Sequence, residues 1–126
     1  MNKIYLAGGF KSNWQKKLTC IEGFIWYNPA AKETKKILSL AEYVSWDTYH
    51  IKKCDILLVY IENINPSCIG LSAEIGYANA LGKIIITIIE PNNPNFKDRY
   101  FDFLRGLSSV VYDNLEQGVD YLKNYK

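Results

Sequence analysis

The chain has 126 residues, 48% of them apolar, which fits one domain with a core of its own. Fifteen Lys and Arg against thirteen Asp and Glu leave a net charge of +2 and a pI near 8.3, and no basic stripe points to a nucleic-acid polymer. The longest aliphatic runs are strand-sized, so no membrane span is expected.

Met1-Asn2-Lys3 leads directly into a strand, so no signal peptide and a cytoplasmic location are expected. Residues 3–7 (Lys-Ile-Tyr-Leu-Ala) form this first strand, followed by Gly8 and Gly9. A helix begins near Ser12 or Asn13 and covers about 14–22, and a short strand at 24–27 closes on Asn28-Pro29. Residues 30–40 read as loop plus a helical turn, with Lys32, Lys35 and Lys36 on a solvated face. Residues 41–53 have helical spacing, with Asp47 inside. The nearly all-apolar run at 55–61 is a strand covered on both faces, as is 84–89, which ends in the breaker Glu90-Pro91-Asn92-Asn93-Pro94. Between those strands lie a polar loop, a glycine at Gly70 and a short helix stopped by Gly82. A helix at 98–105 stopped by Gly106, a strand at 109–112 and an amphipathic helix at 114–123 complete the chain.

Strands alternating with helices predict a single-domain α/β fold. It is a flavodoxin-like (Rossmann-like) three-layer sandwich on a five-stranded parallel sheet, order 2-1-3-4-5. In that order the loop after strand one (Gly8, Gly9, Phe10) and the loop after strand three (62–72) meet over one crevice. Tyr5 lies on the strand that leads to it. Glu74 is expected in the first turn of the helix that follows, where unpaired N–H groups and the helix dipole favour a carboxylate. Gly8, Gly9 and Gly70 serve close backbone approach or tight turns. Ser67 and Ser72 either hold a phosphate at the helix N-terminus or cap the helix. Phe10, Trp14 and Trp46 either stack on a base or pack. Asp55, at the start of a strand, reads as structural. Cys20, Cys54 and Cys68 lie far apart and read as reduced, structural thiols, and His50 is the single histidine. No metal and no cofactor are expected.

Three segments together resemble the nucleoside 2-deoxyribosyltransferases and the related deoxynucleoside 5′-monophosphate N-glycosidases. They are Lys3-Ile4-Tyr5-Leu6-Ala7-Gly8-Gly9-Phe10, Asp47 followed by Cys54-Asp55-Ile56-Leu57-Leu58-Val59-Tyr60, and Gly70-Leu71-Ser72-Ala73-Glu74-Ile75-Gly76-Tyr77-Ala78. The similarity runs from Lys3 to about Ile89, and beyond Pro91 it is one of fold only. The resemblance implies a domain of this kind over 1–126 and a retaining N-glycosyl transfer. It implies that Glu74 attacks the anomeric carbon, that Asp47 moves a proton to and from the base, and that Tyr5 touches the catalytic carboxylate. The chemistry is coherent by itself: an oxocarbenium-like state is stabilised, and can be trapped, by a carboxylate, and a leaving base needs a proton donor. The loop Asn65-Pro66-Ser67-Cys68-Ile69 lacks the acid that the family's transferases often carry there, so Asn65 or Ser67 would contact base or sugar. The C-terminal residues 114–126 do not match the pattern by which those transferases complete a neighbouring subunit's site.

The leading expectation is therefore a transferase moving 2-deoxyribose between nucleobases. The alternative is a nucleoside 5′-monophosphate N-glycosidase on the same nucleophile, and the third reading is a non-catalytic nucleotide-binding module. Substrate-binding candidates are Gly8, Gly9, Phe10, Asn65, Ser67, Gly70 and Ser72. The expected partners are a small-molecule nucleoside or nucleotide and, from the many aromatics, a second copy in a homo-oligomer.

Overall fold

The computed structural model describes residues 1–33, 38–65 and 68–126; the expectations for Lys35, Lys36 and Ser67 lie outside the described residues. Five parallel strands form one sheet in the order β2-β1-β3-β4-β5, as the alternation of elements predicts. They are β1 (Asn2–Gly8), β2 (Phe24–Tyr27), β3 (Ile56–Ile61), β4 (Ile84–Ile89) and β5 (Val110–Tyr112). The helices are α1 (Trp14–Thr19), α2 (Ala30–Glu33), α3 (Leu40–Lys53), α4 (Ile69–Ala80), α5 (Arg99–Leu107) and α6 (Leu115–Leu122), followed by a 3-10 turn at Lys123–Tyr125.

Successive side chains of a strand point to opposite faces, and here that alternation sorts two cores. Ile4, Leu6, Leu58 and Ile88 pack with Trp14 and Leu18 of α1 and with Val119 and Leu122 of α6. Tyr5, Ala7, Leu57 and Val59 face the other layer, where they meet Ile51 of α3, Leu71, Ile75 and Ala78 of α4, and Phe101 and Leu104 of α5. Burying a side chain such as Ile75 completely contributes about 1.5–3 kcal/mol. Tyr5 is thus committed to the α3/α4 side by its place in the pleat.

Helix α3 opens on a capping box: Ser39 N–H donates to Glu42 Oε1 at 2.9 Å, and Glu42 N–H donates to Ser39 Oγ at 3.4 Å. Hydrogen bonding of the carboxyl to the Ser39 side chain, and then to the Ser39 backbone N–H, holds Glu42 below its ordinary range. Helix α4 closes on Gly82 at φ 72. Lys83 N–H reaches Ala78 O at 3.0 Å and Gly82 N–H reaches Asn79 O at 3.0 Å, the paired bonds of a glycine-terminated helix.

Three local expectations are corrected. Helix α1 ends at Thr19, short of residue 22, and the chain turns at Gly23 with φ 98. Helix α5 runs through Gly106 to Leu107, because Gly106 does not adopt positive φ; Ser108 ends the helix instead, with its Oγ donating to Leu104 O at 2.7 Å. Helix α4 starts at Ile69, before Gly70, so its first turn carries no acid and Glu74 stands in the second turn. The end charge of a helix fades within its first turn, so the dipole contributes little to Glu74.

Candidate active site

The C-terminal ends of β1 and β3 open into a cavity of about 600 Å³, large enough for a nucleoside-sized ligand. This is the crevice beside the switch in strand order where open α/β sheets bind ligands. Its walls follow helical spacing. Tyr43, Val44, Asp47, Thr48 and Ile51 recur along one face of α3, and Gly70, Ala73, Glu74 and Tyr77 recur along one face of α4. Tyr5, wholly buried, contributes from β1. The loop after β1 brings Gly8, Gly9 and Phe10, and the loop after β3 brings Asn65 and Cys68.

Eight expected residues are therefore brought together on one cavity: Tyr5, Gly8, Gly9, Phe10, Asp47, Asn65, Gly70 and Glu74. Asp47 and Glu74 are both partly buried and come from different helices, so a ligand between α3 and α4 can meet both. Gly70 lies within α4 rather than in a turn and faces open space, with no atom beyond its chain neighbours and its own helix backbone within 4 Å of where a Cβ would sit. Ser72 does not line the cavity. Its Oγ donates to Cys68 O at 2.7 Å, back along its own helix. Ser67 lies outside the described residues.

The glycine pair after β1 is fixed by packing. A Cβ on Gly8 would stand 2.6 Å from Tyr60 O and 2.8 Å from the Trp14 ring. The Gly9 carbonyl accepts from Trp14 Nε1 and from Gln15 Nε2, each at 3.0 Å. Trp14 is 2% exposed, so of its two roles packing is the one realised. Trp46 stacks on His50 with centroids 3.8 Å apart and lies outside the cavity lining. Phe10 lines the cavity and is 36% exposed. Asp55 is structural: its Oδ2 accepts from Lys3 N–H at 2.8 Å.

Cys68 was not distinguished from the other cysteines by the sequence. It is the residue before α4, held at φ 51 and ψ 22, and it is the single non-glycine with positive φ among the described residues. It lines the cavity, and burial pushes its thiol pKa up. Tyr43 and Tyr77 are further lining residues that the four- and three-residue spacing from Asp47 and Glu74 already marks, and Thr48, next to Asp47, lines the cavity as well. The described lining contains two carboxylates and no Lys or Arg. Among the described residues no group of three or more His, Cys, Asp or Glu could hold a metal ion, and no helix is long and apolar enough to cross a membrane.

The chain's relatives agree with this architecture. A solved conserved protein from Enterococcus faecalis V583 superposes with a TM-score of 0.71 at 17% identity, covering 100% of this chain and 99% of that one. The structure of Clostridium botulinum CMP N-glycosidase, BcmB, superposes with a TM-score of 0.64 at 20% identity, covering 98% and 99%. At these identities the likeness is one of fold. No curated protein matches the sequence. The family described as nucleoside 2-deoxyribosyltransferase like matches residues 1–92, which hold every element of the cavity. The chain belongs to the nucleoside 2-deoxyribosyltransferase-like family.

Proposed function

We propose that residues 1–126 form one nucleoside 2-deoxyribosyltransferase domain that moves 2-deoxyribose between nucleobases. The observation that carries this reading is the meeting of Asp47 and Glu74, from two helices, on one cavity into which the buried Tyr5 also faces. A Glu74 carboxylate oxygen attacks C1′ while the C1′–N bond breaks and its electron pair leaves with the base. Asp47, entering as the acid, gives its proton to the departing base and becomes a carboxylate. An incoming base then attacks C1′, the bond to Glu74 breaks, and Asp47 recovers a proton from that base. Two inversions at one carbon give retention. Tyr5 orients the Glu74 carboxylate. Gly8, Gly9 and Gly70 give the substrate room, and Phe10 and Asn65 contact it. A side-chain nucleophile and a side-chain acid complete this cycle without a cofactor.

A neutral nucleoside suits the cavity better than a dianion, because the two carboxylates lining it have no Lys or Arg beside them among the described residues. One observation favours the second reading, a nucleoside 5′-monophosphate N-glycosidase. The N-terminus of α4, twelve residues long, opens at the cavity wall through Ile69 and Gly70, and such N–H groups bind phosphate. The CMP N-glycosidase named above shares the fold. A purely binding module has no use for two carboxylates around a sugar, which disfavours the third reading.

Val44, Ile69 and Tyr77 are exposed hydrophobics that line the cavity, and a second copy of the chain covering them would close the site. Sedimentation as a monomer would remove that element. Free Cys20, Cys54 and Cys68 fit a reducing cytoplasm, and the transfer of deoxyribose between bases would serve nucleoside salvage.

The test is incubation with 2′-deoxyinosine and free adenine, beside 2′-deoxynucleoside 5′-monophosphates alone, with products separated by liquid chromatography. Formation of 2′-deoxyadenosine supports the transferase. Free base and deoxyribose 5-phosphate from the monophosphates alone establish the second reading, and no turnover in either mixture overturns both.

A further inference from the structure

The turn between β4 and α5 supplies no group to the chemistry above, and in the sequence it is only a strand breaker. It nevertheless carries one of the few buried polar side chains of the protein, Asn93, at 3% exposure. Its Nδ2 donates to Glu62 O at 2.6 Å and to Asn65 O at 3.2 Å, while its Oδ1 accepts from Asn95 N–H at 2.9 Å. The last bond fixes the amide's orientation, so both N–H bonds are aimed at the loop after β3. Beside it Asn63 N–H donates to Glu90 Oε1 at 3.0 Å, and Asn93 N–H donates to Glu90 O at 3.0 Å. The backbone of 62–65 is thus held from the neighbouring crossover.

That loop reaches the site at two points. The Asn65 side chain lies against the Gly8-Gly9 turn, 3.1 Å from where a Cβ on Gly9 would sit. Asn65 O also accepts from Cys68 Sγ at 3.4 Å, and Cys68 is the left-handed residue that launches α4. Such a backbone conformation in a non-glycine persists only where its surroundings over-determine it. Asn65 O is therefore the junction at which Asn93 and Cys68 meet.

We propose that Asn93 is a positioning residue of the site: from outside the cavity it holds Asn65 and Cys68 at the cavity wall, and so sets how tightly the substrate is held. The proposal rests on the functional reading above. Glu74 is less dependent on this clamp, since Leu71 and Ile75 anchor α4 to the sheet by themselves. Loss of Asn93 should therefore act on binding more than on the chemical step.

The experiment compares wild type with Asn93→Ala, Asn93→Asp and Asn65→Ala, and with the Asn93→Ala/Asn65→Ala double variant. Asn93→Asp keeps the acceptor for Asn95 and loses the donors to Glu62 and Asn65. Both Asn93 variants should raise the deoxynucleoside KM about tenfold with kcat within about twofold, and amide hydrogen exchange should quicken at 62–65 but not in β3. The Asn65→Ala background keeps the Asn65 carbonyl but lacks the side chain that Asn93 holds at the cavity wall, so there the Asn93 change should raise KM by clearly less than it does in wild type. An unchanged KM with lower melting temperature, additive effects in the double variant, or variants that do not fold would each make Asn93 merely structural and overturn the proposal. If wild type binds deoxynucleoside without turnover, calorimetric Kd replaces KM, and the transferase reading alone fails. If it neither binds nor turns over, both fail.

Discussion

Gly8 and Tyr60 face each other across β1 and β3 so closely that a Cβ on the glycine would lie 2.6 Å from the Tyr60 carbonyl oxygen. No rotamer change relieves a contact with backbone, and the Trp14 ring stands 2.8 Å from the same point on another side. Gly8→Ala should destabilise the protein by about 1–3 kcal/mol and disturb the Gly9 carbonyl that Trp14 and Gln15 hold. Urea unfolding measures the first effect. An increase in KM measures the second.

Asp47 is assigned the proton that the leaving base requires. Asp47→Asn should lower kcat for 2′-deoxyadenosine by about 10²–10⁴-fold, the usual worth of a positioned acid. The loss should be much smaller for 7-methyl-2′-deoxyguanosine, whose base already carries a positive charge and leaves without a proton. Equal losses on both substrates would assign Asp47 to binding instead.

Cys54, buried after the end of α3, has its thiol pushed up from 9.0 to about 11, chiefly by loss of solvation. The folded state thus keeps a proton that the unfolded chain releases sooner. Its contribution to stability is complete below about pH 9 and is lost as pH rises through about 11. Tyr60, pushed up to about 12 by burial and then by the Glu90 and Glu62 carboxylates, adds to the same decline. Urea midpoints measured between pH 8 and 11 should fall with pH, and Cys54→Ala should flatten part of the fall, although the variant starts from lower stability.

Much of this was legible in the sequence for simple reasons. The all-apolar run at 56–61 reports a strand buried on both faces, and strand–helix alternation then leaves few strand orders to choose from. Asp47 and Glu74 lie on helices whose cavity faces follow the ordinary period, so their neighbours Val44, Ile51, Gly70 and Tyr77 were also within reach. Ambiguity lies where a residue type has two uses. Gly106 is expected as a stop and is crossed by α5; Gly70, open between close backbone approach and a tight turn, stands on a helix face with open space beside it; and Ser72, open between phosphate contact and helix cap, bonds back along its own helix. Asn93 was not legible because its partners are backbone carbonyls 31 and 28 residues away, which carry no sequence signature. The left-handed Cys68 was hidden likewise, since φ at a non-glycine is imposed by its surroundings.

The central claim is that Glu74 becomes covalently bonded to the sugar. The most direct measurement is mass spectrometry of protein quenched in acid during turnover of a 2′-deoxynucleoside, with peptide mapping of the adduct. The account predicts a deoxyribosyl adduct on the peptide containing Glu74, its absence in Glu74→Ala, and a fall in turnover of more than about a thousandfold in that variant. Turnover that survives Glu74→Ala, or an adduct mapped to another residue, would contradict it.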